Sequence, residues 1–396
     1  MREKILDMVR QNEEYASAVR RHLHMHPELS GREFATSRFL KAELTKLGIP
    51  YEETGETSIV ATITGGVPGR TVGLRADMDA LPIQEKNEIE FGSVNDGVMH
   101  ACGHDCHMTM LLTAGKILNE MKDGLPGRVK LLFQESEEQN RGSRFIIGGG
   151  FLDDVDTLAG LHMNPEEDVG KIDIGYGARS AGGCLAKITV RGQGGHSSVP
   201  FKAVNPITVA MEIMNAINLR MAYEFDSFDQ VVLTPTMLDA GSKSNIIPND
   251  AVLQYNGRFF DEKFIPLLED VVRRTAETVA ALHGAKADVE YMGSVEYIVK
   301  NDDASVDRSL AVIGELFGPD CAVISRPAMF GEDFSFMLRK VPGVFALVGG
   351  AEDGRYVPLH NECTWISPRA LPYGIGFFVG YALKFLGEGR KDDGID

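Results

Sequence analysis

Several features that mark membrane-spanning, secreted and nucleic-acid-binding proteins are scarce in this sequence. No apolar run approaches the ~20 residues that a transmembrane helix needs, and the charged N-terminus lacks the apolar core of a signal peptide. Acidic residues outnumber basic ones, 57 to 40, giving a net charge of −17, so we expect neither a nucleic acid nor a membrane surface as a partner. The five cysteines are odd in number and form no CxxC pair, which argues against a disulfide framework. A cytoplasmic location is the resulting expectation.

The composition is that of a large globular protein. Its 396 residues are 43 % hydrophobic and 24 % charged, enough for a sizeable core and more than one domain. Two stretches, 1–183 and 296–396, alternate strand and helix patterns, which predicts an α/β domain with a mainly parallel sheet. In these stretches, strands are predicted at 58–64, 71–76, 129–134, 157–162 and 344–348, and helices at 106–121 and 305–316.

The stretch between them follows a different order. Residues 184–295 show strand, helix, strand, strand, helix and strand patterns, the βαββαβ order of a ferredoxin-like domain. We therefore predict a catalytic domain in two parts, 1–183 and 296–396, interrupted by an inserted domain at 184–295. Two local features are also predicted: a capping box at Ser30–Glu33 that opens a helix, and a mobile tail at 387–396.

One short segment concentrates side chains that bind transition metals. It runs from Met99 to His107, reads MHACGHDCH, and precedes a predicted helix. Thiolate and imidazole are the ligands that zinc and related ions prefer. Any one of these residues alone is as well explained by a buried cysteine beside a solvated loop, so their density carries the hypothesis of a metal site.

Carboxylates follow two predicted strands. Glu137 and Glu138 come after an apolar strand, where one of the pair can bind a metal while the other acts as a base. Asp77 and Asp79 share a face by period-two spacing as another strand ends, and they could orient a ligand imidazole. The alternatives are a solvated acidic turn for the glutamates and a turn cap before Pro82 for the aspartates.

The remaining candidates are isolated residues. His162 ends a predicted strand and His360 lies in a late loop, and each gains meaning only if the fold brings it to the Cys102 segment. In the inserted stretch, glycines 192, 194 and 195 could aim His196 at a ligand, although a plain loop fits equally well.

Two further residues of that stretch are ambiguous. Asn245 precedes Ile246-Ile247-Pro248, and Arg258 lies on a predicted strand. Either could contact a substrate. The alternatives are a turn amide for Asn245 and an edge-strand ion pair for Arg258.

Together the motifs resemble the M20 metallopeptidases, specifically the aminoacylase-like amidohydrolases that include hippurate hydrolases and indoleacetyl-amino-acid hydrolases. The shared motifs occur in the family's order along essentially the whole chain: Arg75–Pro82, Met99–Asp105, Glu137-Glu138, Leu161-His162 and Gly194–His196. The resemblance implies a zinc-peptidase-like catalytic domain, an inserted domain that acts as lid and dimerisation surface, and hydrolysis of the amide bond of N-acyl amino acids.

The resemblance also implies a metal centre. Two divalent ions, of zinc, manganese, nickel or cobalt, would be bridged by the thiolate of Cys102. Asp77 stands where other branches of the family have a ligand histidine, so Asp77 is not counted as a ligand. The implied ligands are Cys102, His104, Glu138, His162 and His360.

Roles in catalysis are implied for residues around that centre. Glu137 resembles the general base and acid, and Asp79 a residue behind the ligands. His196, assisted by Asn245, would polarise the scissile carbonyl in its own or a partner subunit's site. Arg258 would bind the substrate carboxylate.

Two departures from the family pattern stand out. Glu135-Ser136 replaces the usual Pro-Ala before the glutamate pair, which leaves the implied chemistry intact. Phe201 occupies a position where many relatives carry histidine, which bears on substrate preference rather than on the type of reaction.

The predicted reaction uses two ions that lower the pKa of one water molecule to about 7, while Glu137 takes its proton and the hydroxide attacks the amide. A dipeptidase or carboxypeptidase of the same family is one alternative. A thiol hydrolase with Cys102 as nucleophile and His104 as base is another, and a non-enzymatic protein that binds a metal and a carboxylate ligand is a third. The expected partners are a small substrate and further copies of this chain, in a homodimer or higher homo-oligomer.

Overall fold

The computed structural model describes residues 2–388, apart from the side chains of 293–296. Its helices, α1 to α10 in chain order, are Arg2–Gln11, Glu13–Met25, Phe34–Lys46, His104–Glu120, Gly142–Gly148, Pro206–Glu224, Phe264–Leu282, Asp303–Leu316, Phe334–Leu338 and Leu371–Glu388. Residues 389–396 of the tail predicted to be mobile lie outside the described residues.

The strands alternate with these helices along much of the chain. In order, β1 to β16 are Tyr51–Thr54, Ser58–Thr64, Val67–Asp77, Pro126–Gln134, Thr157–Asp168, Ile172–Asp173, Gly177–Ser180, Gly182–Arg191, Gly195–His196, Val231–Ala240, Ile246–Ile247, Asp250–Phe259, Lys286–Glu296, Val299–Asn301, Ala322–Val323 and Gly343–Ala351.

These elements form two compact units. The first comprises Met1–Arg179, Val299–Arg326 and Asp333–Asp396. The second comprises Ser180–Ile298 and Pro327–Glu332. The inserted domain predicted at 184–295 falls within the second unit.

The first unit is built on an eight-stranded sheet with the order β1-β2-β4-β3-β5-β16-β6-β15. Its central strands β4, β3, β5 and β16 pair in parallel, whereas β1, β2 and β6 join by antiparallel pairing. The central strands are buried on both faces, as the apolar residues 131–133 of β4 illustrate. The predicted α/β fold with a mainly parallel sheet is confirmed.

Strand register places the chemistry at one edge of this sheet. Asp77 at the end of β3 pairs with Gln134 at the end of β4. Because parallel strands end at the same edge, the residues that follow them are brought close together. The candidate site forms at that edge.

The second unit contains a four-stranded antiparallel sheet with the order β10-β12-β8-β13. Its strands and the helices α6 and α7 follow the βαββαβ succession of a ferredoxin-like fold. A separate apolar core lies between sheet and helices, centred on residues such as Ile188, Val209, Leu253 and Leu268.

One helix of the first unit is long and apolar enough to cross a membrane by composition. The region Pro368–Glu388, which contains α10, has a mean hydropathy of 1.2, and 72 % of it is buried. It packs against α1, α4 and α8. In this structure α10 is therefore a core helix, and its apolar length reflects the burial of most of its surface.

The predicted capping box is wrong. Helix α3 begins at Phe34, with Glu33 at its N-cap position. The Ser30 hydroxyl instead donates to Asp79 Oδ2 (2.7 Å), and Glu33 Oε1 accepts from the backbone N–H of Ser136 (2.9 Å). Both side chains therefore form tertiary hydrogen bonds with residues near the candidate site and do not cap the helix.

Candidate metal centre

The five predicted ligands converge in the first unit. Cys102 lies in the turn before α4 and His104 begins that helix. Glu138 lies in a short helical turn after β4, His162 lies on β5, and His360 lies in the coil that follows β16. Residues separated by up to 258 positions along the chain are thereby brought into contact.

The Cys102 sulfur lies at the middle of this cluster. It is 3.4 Å from His162 Nε2 and 3.2 Å from His360 Nε2. The same nitrogen of His360 is 3.3 Å from Glu138 Oε1. The sulfur thus lies within 3.4 Å of histidine nitrogens from β5 and from the late loop, so metal ions bound to these histidines would share it.

Two of the possible groups of donor atoms share Cys102, and His104 also groups with Glu137 and Glu138. One set, here called the helix–strand set, is Cys102, His104 and His162, and the other, the loop set, is Cys102, Glu138 and His360. In each set the three donor atoms lie within 4.8 Å of one another. Sulfur, nitrogen and carboxylate oxygen together suit zinc and neighbouring transition metals.

The histidines of the helix–strand set are oriented by their second ring nitrogens. His162 Nδ1 lies 2.8 Å from the carbonyl oxygen of Met163, and His104 Nδ1 lies 3.3 Å from Asp79 Oδ1. Contacts of this kind fix the ring and direct the other nitrogen at a metal.

Unsatisfied buried atoms support the same interpretation. Among residues 2–388, Nε2 of His104 is buried without a hydrogen-bond partner, and Oε1 of Glu138 is buried with only the 3.3 Å contact to His360 Nε2. Polar atoms left in this way are costly, by roughly 1–3 kcal/mol each. Metal ions would satisfy them, so the residues present fit a dinuclear centre.

The electrostatics also favour positive charge at this position. Burial alone lowers the pKa of His104, but the charges of Asp77 and Asp79 raise it to about 10. Burial, followed by the charges of Glu138 and Glu137, raises the pKa of the Cys102 thiol well above its ordinary value. Divalent cations would reverse that effect on the thiol, because a coordinating thiol is deprotonated.

Asp77 is held by protein donors and also lies near a predicted ligand, with its Oδ2 3.8 Å from His104 Nε2. Its Oδ1 lies 2.6 Å from His107 Nδ1, and its Oδ2 accepts from Arg75 (2.7 Å). His107 Nε2 in turn accepts from the backbone N–H of Met163 (2.8 Å). Asp77 and His107 therefore brace the backbone at Met163, and the exclusion of Asp77 from the ligand set stays a prediction.

Beneath the site lies a buried ionic cluster centred on Arg75. The guanidinium donates to Asp77, to Asp333 (3.0 Å) and to Gln134 (2.9 Å), and it is fully buried. Burial raises the pKa of Asp333 to about 6, although Arg75 and Gln134 act in the opposite direction. The Asp333 backbone N–H lies 3.4 Å from Glu137 Oε1, so the cluster reaches the candidate base.

Sequence reasoning assigned no role to His107, Arg75 or Asp333. A signal for His107 existed, because it follows His104 by three residues and therefore shares its helix face. Arg75 likewise lies two residues before Asp77 on β3, on the same face. Asp333 had no comparable signal, since its side-chain partners lie 190 or more residues away.

Glu135, one of the two departures from the family pattern, has a structural role. Its Oε2 accepts hydrogen bonds from the backbone N–H groups of Glu56, Thr57 and Ser58, at 2.6 to 2.9 Å. The carboxylate thereby anchors the turn between β1 and β2, at a point where proline and alanine would offer no acceptor.

Three predicted site residues lie in the second unit. His196 pairs with Ile246 in a short strand pair, and its Nδ1 is 2.8 Å from the Ser198 hydroxyl. Asn245 accepts from the backbone N–H of Ser197 (3.2 Å), which places it beside His196. Arg258 lies on β12, opposite Val232.

The geometry does not pair Cys102 with His104 as the nucleophile and base of a thiol hydrolase. The contacts of the Cys102 sulfur are with His162 and His360, and His104 turns its Nδ1 to Asp79 instead. The raised pKa of the Cys102 thiol also opposes formation of a nucleophilic thiolate in the absence of nearby cations.

Comparison with known proteins gives consistent matches. The model of peptidase family M20/M25/M40 matches residues 73–384. Thermostable carboxypeptidase 2 of Saccharolobus solfataricus is 35 % identical over 97 % of this chain and 98 % of its own. N-acetyl-L-cysteine deacetylase of Bacillus subtilis is 34 % identical over 94 % of this chain and 88 % of its own.

A solved structure extends the comparison to the fold. The crystal structure of Bacillus subtilis YXEP, a dinuclear metal-binding peptidase from the M20 family, has a TM-score of 0.84 and 28 % identity. The match covers 96 % of this chain and 99 % of that chain. The family resemblance predicted from the sequence motifs is confirmed.

Proposed function

The chain belongs to peptidase family M20/M25/M40, and from that premise we propose that it releases amino acids from N-acyl amino acids with Glu137 as general base. It is a metal-dependent hydrolase of amide or peptide bonds whose centre holds two divalent metal ions. The proposal adds the assignment of each residue and the preference for an acylated amino acid.

One observation carries the proposal. Glu137, a carboxylate that belongs to neither ligand set, lies beside the two sets that share Cys102. Glu137 groups with His104 and Glu138 within 4.8 Å and is only 7 % exposed. A base must lie within hydrogen-bond reach of the proton it removes and be shielded from bulk water. The burial of Glu137 beside the ligand sets supports its assignment as the base, whereas Glu138 faces His360.

The division of labour then follows from the side chains. When bound, divalent ions at such a centre polarise a carbonyl and make water more acidic. Glu137 accepts a proton from the attacking water and returns it to the leaving amine, so one carboxyl group serves as base and then as acid. Asp79 keeps His104 oriented throughout, because its other oxygen is fixed by Ser30.

Residues of the second unit are assigned to the substrate. A planar guanidinium such as that of Arg258 matches a carboxylate with two parallel hydrogen bonds. His196, with Asn245 beside it, is assigned to the scissile carbonyl oxygen, where one well-placed donor contributes about 3 kcal/mol. The inserted domain is thereby proposed to close over the substrate as a lid.

The first experiment is a substrate panel. Protein stripped of metal is resupplied with zinc, manganese, nickel or cobalt and assayed on N-acetyl, N-benzoyl and indoleacetyl amino acids, on dipeptides, and on amidated versions of each. We expect hydrolysis of N-acyl amino acids with a free carboxylate. Preference for dipeptides would favour the carboxypeptidase alternative, and equal rates on amidated substrates would contradict the role of Arg258.

A second experiment isolates Glu137. Replacing it with glutamine should lower kcat by roughly 10²- to 10⁴-fold, while two ions per chain remain bound because the ligands are unchanged. Glu138→Gln is the matched control, since it should lose metal as well as activity. Retention of near-normal kcat by the Glu137 variant would contradict the assignment.

We also propose that the chain forms a homodimer through the second unit. β10 is an edge strand of its sheet, with Met237 and Leu238 exposed by 39 % and 45 %. On α6, Leu219 and Tyr223 are exposed by 62 % and 83 %. Exposed apolar side chains near an open strand edge are typical of an interface, and sedimentation of Leu219→Lys against wild type tests this.

A cytoplasmic location is proposed on the state of the thiols. All five cysteines are free, and three of them are buried without a disulfide partner. Such a set suits a reducing compartment.

A further inference from the structure

The loop set differs from the helix–strand set in how its histidine is held. His360 lies in coil, with a positive φ of 59°, and its side chain is 52 % exposed. Its backbone N–H donates to the carbonyl oxygen of Ala101 (2.9 Å). Neither helix nor strand fixes this residue, so its position depends on the bonds that hold the surrounding loop.

Thr364 organises that loop from within. Its hydroxyl lies 2.8 Å from the carbonyl oxygens of Pro358 and Asn361. The same hydroxyl oxygen is 3.1 Å from the Asn361 backbone N–H. These bonds close the turn that carries His360, so the position of Thr364 sets the position of the histidine.

Asn87 attaches this turn to a second coil segment. Its side-chain amide donates to the carbonyl oxygen of Thr364 (2.9 Å) and to Glu85 Oε1 (3.1 Å). In parallel, the backbone N–H of Lys86 donates to the carbonyl oxygen of Glu362 (2.9 Å). These hydrogen bonds hold the two coil segments side by side. The orientation of the Asn87 amide depends on its contact with Glu85.

Glu85 is in turn fixed by His24 on α2. His24 Nε2 is 3.1 Å from Glu85 Oε1, and its Nδ1 is 2.9 Å from Asp105 Oδ2. An imidazole can donate to two carboxylates only when both nitrogens carry protons. Burial alone lowers the pKa of His24, but Asp105 and Glu85 raise it to about 9. The ring is a buried cation between two carboxylates.

These contacts form one continuous path. It begins at Asp105, next to His104 in the first turn of α4, and passes through His24, Glu85 and Asn87 to the turn of His360. Building on the proposed dinuclear function, we propose that Asn87 and His24 are positioning residues that set how tightly the loop set holds its metal ion.

Chelation of the loaded protein tests this. Full-length protein carrying Co(II) is dialysed against graded concentrations of a chelator, and the cobalt retained per chain is counted by elemental analysis. Absorbance of the bond between Co(II) and the Cys102 thiolate is followed in parallel. Wild type should release cobalt in two steps. Asn87→Ala and His24→Gln should weaken the easier step by ~10- to 100-fold and leave the other step nearly unchanged.

Two control variants separate positioning from a general loss of structure. Asn95→Ala removes an amide of the same coil that donates to the carbonyl oxygen of Pro27 (2.8 Å) instead. His22→Gln alters a histidine of the same helix that stacks on Phe39. Both should release cobalt as wild type does. In a His360→Ala background, Asn87→Ala should add no further weakening, because the residue it acts through is gone.

The outcomes distinguish this inference from the proposed function. If neither step moves in Asn87→Ala, or both weaken equally, the positioning role is wrong even when wild type is an active amidohydrolase. If wild type retains only one Co(II), the dinuclear function and this inference both fail. If wild type retains two Co(II) yet hydrolyses nothing on the substrate panel, the function fails, while a selective shift in Asn87→Ala still supports the positioning role.

Discussion

The two ligand sets are built on different foundations. In the helix–strand set, His104 and His162 belong to α4 and β5, and their side chains are buried to 93 % or more. In the loop set, His360 lies in coil and is half exposed. The histidines of one set lie on a regular helix and strand, whereas the position of His360 depends on backbone and side-chain hydrogen bonds between coil segments.

This difference bears on how each ion is held. A ligand on a helix or strand loses little additional conformational entropy when it binds a metal ion. A ligand on a loop must first be ordered by its neighbours. We therefore expect the helix–strand set to bind more tightly and the loop set to be the more sensitive to distant substitutions.

The largest effect is expected from Cys102→Ala. Both sets lose their shared ligand, so neither ion should be retained and hydrolysis should fall to background. Cys106→Ala is the matched control, since this cysteine is also buried in the same segment but belongs to neither set. Elemental analysis decides between them, and two ions retained by Cys102→Ala would refute a bridging thiolate.

The next largest effect is expected from Arg75→Met, which removes the hydrogen bonds of Arg75 to Asp77, Asp333 and Gln134 beside the helix–strand set. Removing the guanidinium leaves Asp333 buried without its counter-charge and takes one of two from Asp77, and we expect a loss of roughly 3–5 kcal/mol in the free energy of unfolding. Arg70→Met, on the same strand and 38 % exposed, should cost about 1 kcal/mol or less. If urea denaturation gave equal losses of unfolding free energy for both variants, the buried Arg75 cluster would contribute no more to stability than a surface arginine.

The pH dependence of stability probes the path to the loop set. The groups facing His24 are Asp105, Glu85, Arg20 and His100. Because the pKa of His24 rises from 6.5 to about 9 on folding, its contribution is complete below pH 6.5 and is lost as pH rises through 9. That contribution is on the order of 3 kcal/mol. His24→Gln should flatten the free energy of unfolding across this window, and an unchanged slope would contradict the cationic ring.

A smaller effect, shared by both sets, is expected from Asp79→Asn. One oxygen of Asp79 faces His104, and the other accepts from the Glu138 backbone N–H (3.0 Å). Burial alone raises the pKa of this carboxyl, but the hydrogen bonds from His104 and Ser30 lower it below its ordinary value. We expect both release steps of Co(II) to weaken by ~10-fold. Weakening of one step alone would show that Asp79 serves only one ligand set.

Sequence patterns predict the helix–strand set and the sheet that positions it well. Parallel strands buried on both faces appear in the sequence as apolar runs, and metal-binding side chains at their ends stand out against them. The segment from Met99 to His107 is therefore recognisable from its residue types and spacing alone.

The contacts that position the loop set are much less predictable from the sequence. Nothing in the sequence joins Asn87 to Thr364 or His24 to Glu85, because these bonds cross between coils and helices far apart in the chain. Ser30 shows the same limit: its local pattern matches a helix cap, yet the competing bond to Asp79 prevails. Local propensity fails where a buried carboxylate needs a donor.

The central claim is that one cysteine joins two metal ions in an amide-hydrolysing centre. Anomalous scattering from crystals of the cobalt-loaded enzyme, measured at the cobalt edge, tests it most directly. The account predicts two peaks, both within bonding distance of Cys102 Sγ, one toward His104 and His162 and the other toward Glu138 and His360. A single peak, or two peaks that do not share the sulfur, would contradict it.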